Sequence, residues 1–295
     1  MVIGVVCGIG LIGKGLVDSG FLKLSSKSNE IMGRSTQYSD DQRMLVRAEL
    51  FRINPTIFIN AAGPSSVSDS ISDHKSYVEF PWQQCLAQLK VLNELPDPPT
   101  YLFISSGSVY GNTPILGASE THSLNPVSPY AQGKLLAENS IQDFSHVYRG
   151  NIIIARCFSV YDYNLRTRLP YLISQKMQES QSFSLFGTGS EKRDYIHVSD
   201  VVEAFQKIIT QNYKFGIFNI GTGIPITVRE LCEMASNVFE QKFHPKIAVN
   251  FNGETRVFDP ENLIADIATL REIGFTPKIE PNIGLLRYFK SIKEK

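Results

Sequence analysis

The chain has 295 residues, enough for one large domain or two modest ones around a substantial core. Its 42% hydrophobic and 20% charged composition describes an ordinary soluble globular protein, and 29 basic against 29 acidic side chains leave no overall field to recruit nucleic acid. Cys7, Cys85, Cys157 and Cys232 are too scattered for a zinc site or a disulfide framework, so buried thiols in a reducing cytosol are expected.

Val2 to Cys7 reads as a buried strand that begins almost at the initiator methionine. This apolar start lacks a basic leader, and Gly4, Gly8, Gly10, Gly13 and Gly15 interrupt it, so it is not a targeting signal. No later run is long enough to span a bilayer. A cytoplasmic protein without a membrane partner is the expectation. Gly8-Ile9-Gly10-Leu11-Ile12-Gly13 follows the strand at once, and the spacing predicts a helix from about Leu11 to Ser19. Strand, G-x-G-x-x-G and helix in that order form a dinucleotide fingerprint. Gly8, Gly10 and Gly13 permit a tight turn, and the amides around Leu11 and Ile12 can approach a pyrophosphate at the helix N-terminus. The alternative is a glycine-rich turn with only a packing role.

The second strand, about Asn29 to Gly33, bears on which dinucleotide binds. An acid near its end would hold the ribose diol of NAD. Here Gly33 is followed by Arg34 and Ser35, a guanidinium and a hydroxyl suited to a 2′-phosphate, so NADP is expected ahead of NAD. The bland alternative is a solvated loop arginine. Asp41 to Ile53 has helical spacing, closed by Pro55, and Thr56 to Asn60 is the next buried strand. Ala61-Ala62-Gly63 then supplies small residues where backbone must pass near a cofactor. Ser65 to Ser72 reads as an exposed polar loop, and Tyr77 to Leu95 as a long helix interrupted near Pro81.

Tyr101 to Ile104 is an apolar strand running into Ser105-Ser106-Gly107-Ser108-Val109-Tyr110-Gly111. After a loop, Pro129-Tyr130-Ala131-Gln132-Gly133-Lys134 opens a helix. Tyr130 and Lys134, at i and i+4, lie one turn apart on one face. An ammonium so placed favours the phenolate, preparing Tyr130 to give or take a proton at a carbinol or carbonyl oxygen. A serine at the preceding strand end can hold the same oxygen. Tyr-x-x-x-Lys alone is a weak signal, and the serine-rich strand end strengthens it.

Asn151 to Cys157 is another apolar strand, so strands and helices alternate through the first half. That pattern implies an α/β protein with a doubly wound parallel sheet. Beyond Arg156 the character changes. Ser159 to Arg168 is a polar, aromatic loop, and Leu169 to Gln178 can be a helix. Phe183 to Gly187 is a short strand, and Gly187 to Asp194 a charged loop. Tyr195 to Val198 is apolar, and Asp200 can cap a helix from Val201 to Thr210. Ile217 to Gly223 is a strand and turn, Thr227 to Glu240 an amphipathic helix, and Ile283 to Ile292 the last helix.

Taken in order, these motifs resemble the extended short-chain dehydrogenase/reductases, specifically the nucleotide-sugar epimerase, dehydratase and ketoreductase family. The likeness runs from the glycine turn through Ser105–Gly111, Pro129–Lys134, Arg156–Tyr161, Gly187–Asp200 and Asn219–Gly221 to Ile273-Gly274-Phe275-Thr276-Pro277. It implies a Rossmann-type NADP-binding domain over residues 1–156, to which the chain returns at about 195–221. A smaller C-terminal α/β domain over 157–295 would bind a nucleotide-diphosphate sugar. It also implies Ser106 as the catalytic hydroxyl, Tyr130 as acid/base and Lys134 as its partner. Ser108, Arg193 and Arg256 would meet the substrate, the two arginines at its diphosphate through bidentate guanidinium geometry. Either arginine could instead be a surface charge. A homodimer is a candidate assembly.

The chain also departs from that family. Cys7 replaces the first glycine of the usual G-x-x-G-x-x-G, the adenine-contacting aspartate signature is missing, and Ser159 stands where asparagine is common. Gly107 and Ser108 occupy the places where the 4,6-dehydratases carry Asp-Glu and the decarboxylases a glutamate, so dehydration and decarboxylation are disfavoured. NADPH-dependent reduction of a nucleotide-linked 4-keto-6-deoxyhexose is the expected reaction. A 4-epimerase with tightly bound NAD(P) is the main alternative, and a non-catalytic dinucleotide sensor a further one.

Overall fold

The computed structural model describes residues 3–8, 10–20, 23–24, 40–180, 182–240 and 247–293. The strands are β1 Ile3–Cys7, β2 Lys23–Leu24, β3 Ile57–Asn60, β4 Thr100–Ser106, β5 Ile152–Cys157, β6 Ser159–Tyr161, β7 Ser182–Leu185, β8 Lys192–His197, β9 Phe215–Ile220, β10 Pro225–Thr227, β11 Ala248–Phe251 and β12 Asn262–Leu263. The helices are α1 Leu11–Asp18, α2 Asp40–Ile53, α3 Val67–Ser72, α4 His74–Asn93, α5 Pro129–Ser145, α6 Arg168–Glu179, α7 Val198–Thr210, α8 Val228–Phe239, α9 Ala268–Glu272 and α10 Pro281–Lys293.

One sheet runs in the order β2-β1-β3-β4-β5-β9, every neighbouring pair parallel. Its strands are apolar at consecutive positions because both faces are covered. Val6, Ile59, Leu102 and Ile153 point into one core, with Leu16 of α1 and Val201 and Phe205 of α7. Val5, Phe58, Tyr101 and Ile154 point into the opposite core, with Cys85 and Leu89 of α4 and Ala137 and Ile141 of α5. The period of two along each strand thus feeds two cores, which is the doubly wound Rossmann arrangement the alternation predicted. A separate group of short strands surrounds β8, which pairs with β6, β10 and β12, while β7 pairs with β11. These pack with α6, α8 and α10 around a third core that includes Tyr161, Leu231 and Phe289.

All four cysteines are buried and unbridged. Burial pushes the thiols of Cys7, Cys157 and Cys232 up to about 12 and that of Cys85 to about 11, so they stay protonated and inert near neutral pH.

Several local expectations differ from what the fold contains. The stretch expected as a loop from Ser159 opens with β6, and α7 begins at Val198 with His197, not Asp200, as its cap. The outer neighbour of β1 is Lys23–Leu24, while the strand expected over Asn29 to Gly33 lies outside the described residues. The stretch expected as a polar loop carries α3, because the Ser66 side chain accepts a hydrogen bond from the Asp69 N–H at 3.2 Å and Asp69 supplies an acid in the first turn. α4 also continues through Pro81 without a break. Proline cannot donate to the carbonyl four residues back, here that of Tyr77. That carbonyl lies against Gly133 of α5, where any Cβ would collide with it. The two helices therefore meet at a position without a donor on one side and without a side chain on the other. Helix propensity alone predicts that Gly133→Ala stabilises by about 1 kcal/mol. The backbone collision should reverse the sign, giving a net loss of about 1–3 kcal/mol. Urea unfolding of the variant checks this, and a midpoint above that of the parent would show that the helices part easily.

Candidate active site

The glycine turn packs against the small residues after β3. Gly8 has φ of +91°, and a Cβ there would lie 2.6 Å from the Ala62 Cα. The Ala61 N–H donates to the Cys7 carbonyl at 2.8 Å, locking the two strand ends together. A side chain on Gly13 would strike the Gly8 carbonyl, so this glycine closes the turn. Gly10 is different, since a Cβ there would meet nothing within 4 Å. It is the N-cap of α1, with no side-chain cap and no acid in the first turn. The leading amides, those of Leu11 and Ile12 among them, belong to the orphan donors of a helix N-terminus and carry its positive partial charge. Gly63, with φ of +117°, is also nearly open, Phe80 being 3.8 Å from its would-be Cβ. Open space beside Gly10, a helix N-terminus and the absence of an acid in its first turn fit a dinucleotide pyrophosphate. Gly33, Arg34 and Ser35 lie outside the described residues.

The proton-transfer candidates gather at the carboxyl end of β4. Ser128 caps α5, accepting from the Ala131 N–H at 3.2 Å, and Pro129 occupies the first turn, where its missing N–H costs nothing. Lys134 is 7% exposed, a costly burial for an ammonium unless something serves it. It donates to the Ile104 carbonyl at 2.8 Å and lies 4.9 Å from the Phe103 ring centroid. That contact ties the opening turns of α5 to β4 two residues before Ser106. Tyr130, one turn earlier on the same face, is half-buried, and its hydroxyl makes no hydrogen bond among the described residues. Ser106 accepts from the Ser108 N–H at 3.2 Å and donates to the Ser108 hydroxyl at 3.1 Å. Ser106, Ser108, Tyr130 and Lys134 thus share this strand end, and the glycine turn and Ala61–Gly63 lie at the same end of β1 and β3. In open α/β sheets that end is where ligands bind.

Beneath this end lies a polar network that the sequence reading missed. Arg156 and Glu138 form an ion pair at 2.7 Å, their side chains 3% and 4% exposed. Glu138 also accepts from the Ser105 hydroxyl, next to Ser106. Arg156 donates to the Tyr110 hydroxyl at 2.8 Å, and Tyr110 donates onward to Asn219 Oδ1 at 2.7 Å. Burial outweighs the nearby guanidinium and pushes the Tyr110 phenol up to about 12, so it remains a neutral donor. The signal was present, since Arg156 is a lone charge in an apolar strand, but its partner lies on another element.

The predicted substrate arginines are not free. Arg193 pairs with Asp259 at 2.5 Å, and the Arg256 guanidinium lies 4.3 Å from the Phe186 ring centroid. A second cluster, also missed, joins Tyr161, Tyr163 and His197, with His197 ring centroids 5.3 and 4.5 Å from the two tyrosines. The two hydroxyls and His197 Nε2 are buried without a hydrogen-bond partner among the described residues, the Asp162 carboxylate lying 4.0 Å from that nitrogen. Burial lowers the His197 imidazole pKa against the opposing pull of Asp162 and Asp200. The ring is held neutral and accepts the Ser199 N–H at Nδ1, capping α7.

A parallel Rossmann sheet with a glycine turn and a Ser–Tyr–Lys group at its carboxyl end defines a nicotinamide-dinucleotide type of enzyme fold. The chain belongs to the NAD dependent epimerase/dehydratase family, whose model matches residues 21–221. A putative UDP-glucose 4-epimerase of Methanocaldococcus jannaschii is 30% identical over 198 residues, which make up 64% of this chain and 61% of that protein. A dTDP-4-dehydro-6-deoxyglucose reductase of Escherichia coli is 29% identical over 199 residues, 65% of this chain and 60% of that protein. The matched region spans less than two thirds of either relative. RMD from Pseudomonas aeruginosa, solved in complex with NADPH, shares the fold with a TM-score of 0.81 at 20% identity, each chain covered completely. No described helix is long and apolar enough to cross a membrane.

The buried pair yields a stability prediction. Glu138→Gln leaves Arg156 without its counter-ion and should cost about 3–5 kcal/mol, whereas joint replacement by Glu138→Leu and Arg156→Met should cost less than the single change. Denaturant unfolding of the two variants tests the ordering, and a Glu138→Gln protein as stable as the parent would refute it.

Proposed function

We propose that the protein is an NADPH-dependent reductase of a nucleotide-linked 4-keto-6-deoxyhexose. The observation that carries this reading is the group Ser106, Tyr130 and Lys134 at one strand end, beside Gly107 and Ser108, where no acid stands. Phe158 covers Gly107 so tightly that a Cβ would lie 2.8 Å from its ring. An aspartate there would have to push that ring aside, and the next residue, Ser108, already shares its hydroxyl with Ser106. Water loss or decarboxylation would lack the carboxylate such reactions require. Reduction of a carbonyl needs only a proton donor and a way to hold the developing oxyanion.

A bound nicotinamide dinucleotide supplies the hydride that goes to the carbonyl carbon. The residues of the chain then do three things. Ser106 donates to the carbonyl oxygen and orients it, Tyr130 passes its phenolic proton to that oxygen as negative charge develops, and Lys134 stabilises the phenolate left behind. Lys134 is anchored on the Ile104 carbonyl at the same strand end. Gly10 and the α1 amides would hold the pyrophosphate, with Arg34 and Ser35 on the 2′-phosphate. Arg193 and Arg256 would hold the substrate diphosphate. Support comes from the E. coli reductase as a relative and from the NADPH complex of the P. aeruginosa protein as a structural likeness.

A nucleotide-sugar 4-epimerase is the second reading, favoured by the M. jannaschii relative. The same three residues would serve it. Incubation with a nucleotide-linked 4-keto-6-deoxyhexose and excess NADPH should oxidise one NADPH per sugar. Tyr130→Phe should keep the fold while turnover falls about 100-fold or more. Interconversion of saturated 4-epimers at constant nicotinamide absorbance would award the site to the epimerase instead. Cofactor choice is tested separately. Calorimetry should show NADPH binding more tightly than NADH, with most of that preference lost in Arg34→Ala. Equal affinities in the parent protein would remove the basis for NADP.

A further inference from the structure

His197 holds the start of α7, and α7 leans on the helix that follows the glycine turn. The imidazole Nδ1 accepts the Ser199 N–H at 3.2 Å and lies 2.8 Å from the Ser199 hydroxyl. As the N-cap of α7 it serves one of the orphan donors of that helix. The very next residue, Val198, is the one that meets α1. A Cβ on Gly15 would lie 2.5 Å from Val198 Cγ2, so the two helices touch where α1 has no side chain to interpose. Leu16 of α1 lies in the same core as Val198, Val201 and Phe205. With eight residues and no side-chain cap of its own, α1 takes the direction of its leading amides from what it packs against.

The far nitrogen of the ring is unserved. Nε2 is buried with no hydrogen-bond partner among the described residues, and the Asp162 carboxylate stands 4.0 Å away. The end of β6 and the segment after it bring Tyr161, Asp162 and Tyr163 to the ring, and α7 brings Asp200. Two further helices act at one remove. Glu280 and Arg287 of α10 act on Tyr161, and Lys14 of α1 acts on Asp162. The two aspartates favour a charged ring, but burial outweighs them and holds the pKa below the ordinary histidine value.

We propose that His197 is a positioning residue for the dinucleotide site, holding α7 against α1 while neutral and releasing it when protonated, so that cofactor affinity falls in acid. This rests on the reading that the α1 amides hold the dinucleotide pyrophosphate. The chemistry at Nδ1 dictates the sign. A neutral ring with its proton on Nε2 offers a lone pair at Nδ1, and the Ser199 N–H uses it. Protonation puts a second N–H on the ring at Nδ1, so two donors face each other and the cap fails. The imidazolium then has a better partner in Asp162, which a shift of about 1 Å brings into charge-assisted contact with Nε2. That movement draws the ring from Ser199 and frees the first turn of α7, Val198 included, from its seat on α1. The neutral, capped form is complete above the ordinary histidine pKa and is lost as pH falls through the lower folded value.

The test is calorimetric titration of NADP⁺ into the full chain at about pH 8 and about pH 5, either side of the histidine range, with NMR titration of the His197 imidazole. Between the two conditions the parent should lose about three- to tenfold more affinity than His197→Asn, the strength of a helix cap. Asparagine caps as well and does not titrate, and the comparison cancels the titration of the cofactor's own phosphate. His197→Ala, which cannot cap, should bind more weakly than the parent at about pH 8. By reciprocity, saturating NADP⁺ must lower the His197 pKa further in the parent, a readout that needs no variant. Parallel profiles for the parent and His197→Asn, an alanine variant as tight as the parent, or a His197 pKa that NADP⁺ leaves in place or raises each overturns the proposal. Gly10→Asp tests the pyrophosphate reading separately. The space around Gly10 is open and aspartate is a good cap, so the chain should fold, while the added charge should weaken NADP⁺ about tenfold or more at both pH values. If Gly10→Asp binds NADP⁺ as the parent does, the pyrophosphate reading falls and the coupling with it. If it weakens binding while the pH profiles run parallel, that reading stands and the coupling alone is wrong.

Discussion

The buried pair of Arg156 and Glu138 is the interaction on which the site depends. Taking two such charges out of water costs several kcal/mol each, and their attraction offsets this only with good geometry and further hydrogen bonds. Both conditions are met. Arg156 Nε and Nη2 reach the carboxylate at 3.1 and 2.7 Å, and the other end of the guanidinium is taken by the Tyr110 hydroxyl and the Glu120 carbonyl. Asn219 extends the network to the Ala118 and Asp266 carbonyls at 2.8 and 3.1 Å. The pair therefore joins β5 to α5, and its extensions reach the turn after β4, the end of β9 and the loop before α9. Ser106, Tyr130 and Lys134 come from two of these elements, so their separation is set from below.

Much of this architecture is legible in the sequence because its determinants are local. A strand running into glycines, an apolar run ending in serines, and a Pro-Tyr-x-x-x-Lys helix start each declare themselves within a few residues. Their order along the chain carries the family likeness that the match over residues 21–221 bears out. The polar stretch before α4 was legible too, since Ser66 and Asp69 stand at cap spacing, but its composition suggested a loop.

What could not be read involves partners far apart in the chain. Glu138 lies 18 residues from Arg156, and Asp259 lies 66 residues from Arg193. Neither aspartate nor glutamate at those positions differs in sequence from a solvated surface acid. Proline inside a helical pattern normally signals a break, and only Gly133, on a later helix, explains why α4 continues. Phe158 is likewise silent about Gly107 until β4 and β5 are aligned as neighbours.

The contact between Tyr77 and Gly133 also bears on how this chain can exchange parts with its relatives. Gly133 stands between Tyr130 and Lys134, so the segment that carries the proton-transfer group is the one shaped to accept the carbonyl that Pro81 leaves unserved. The two helices form a matched unit. A chimera that imports a relative's Tyr-x-x-x-Lys helix with any side chain at position 133 would push α5 off α4 and shift Tyr130 relative to Ser106. Transferring both helices together keeps the contact intact, which makes the helix pair the smallest exchangeable module of the site.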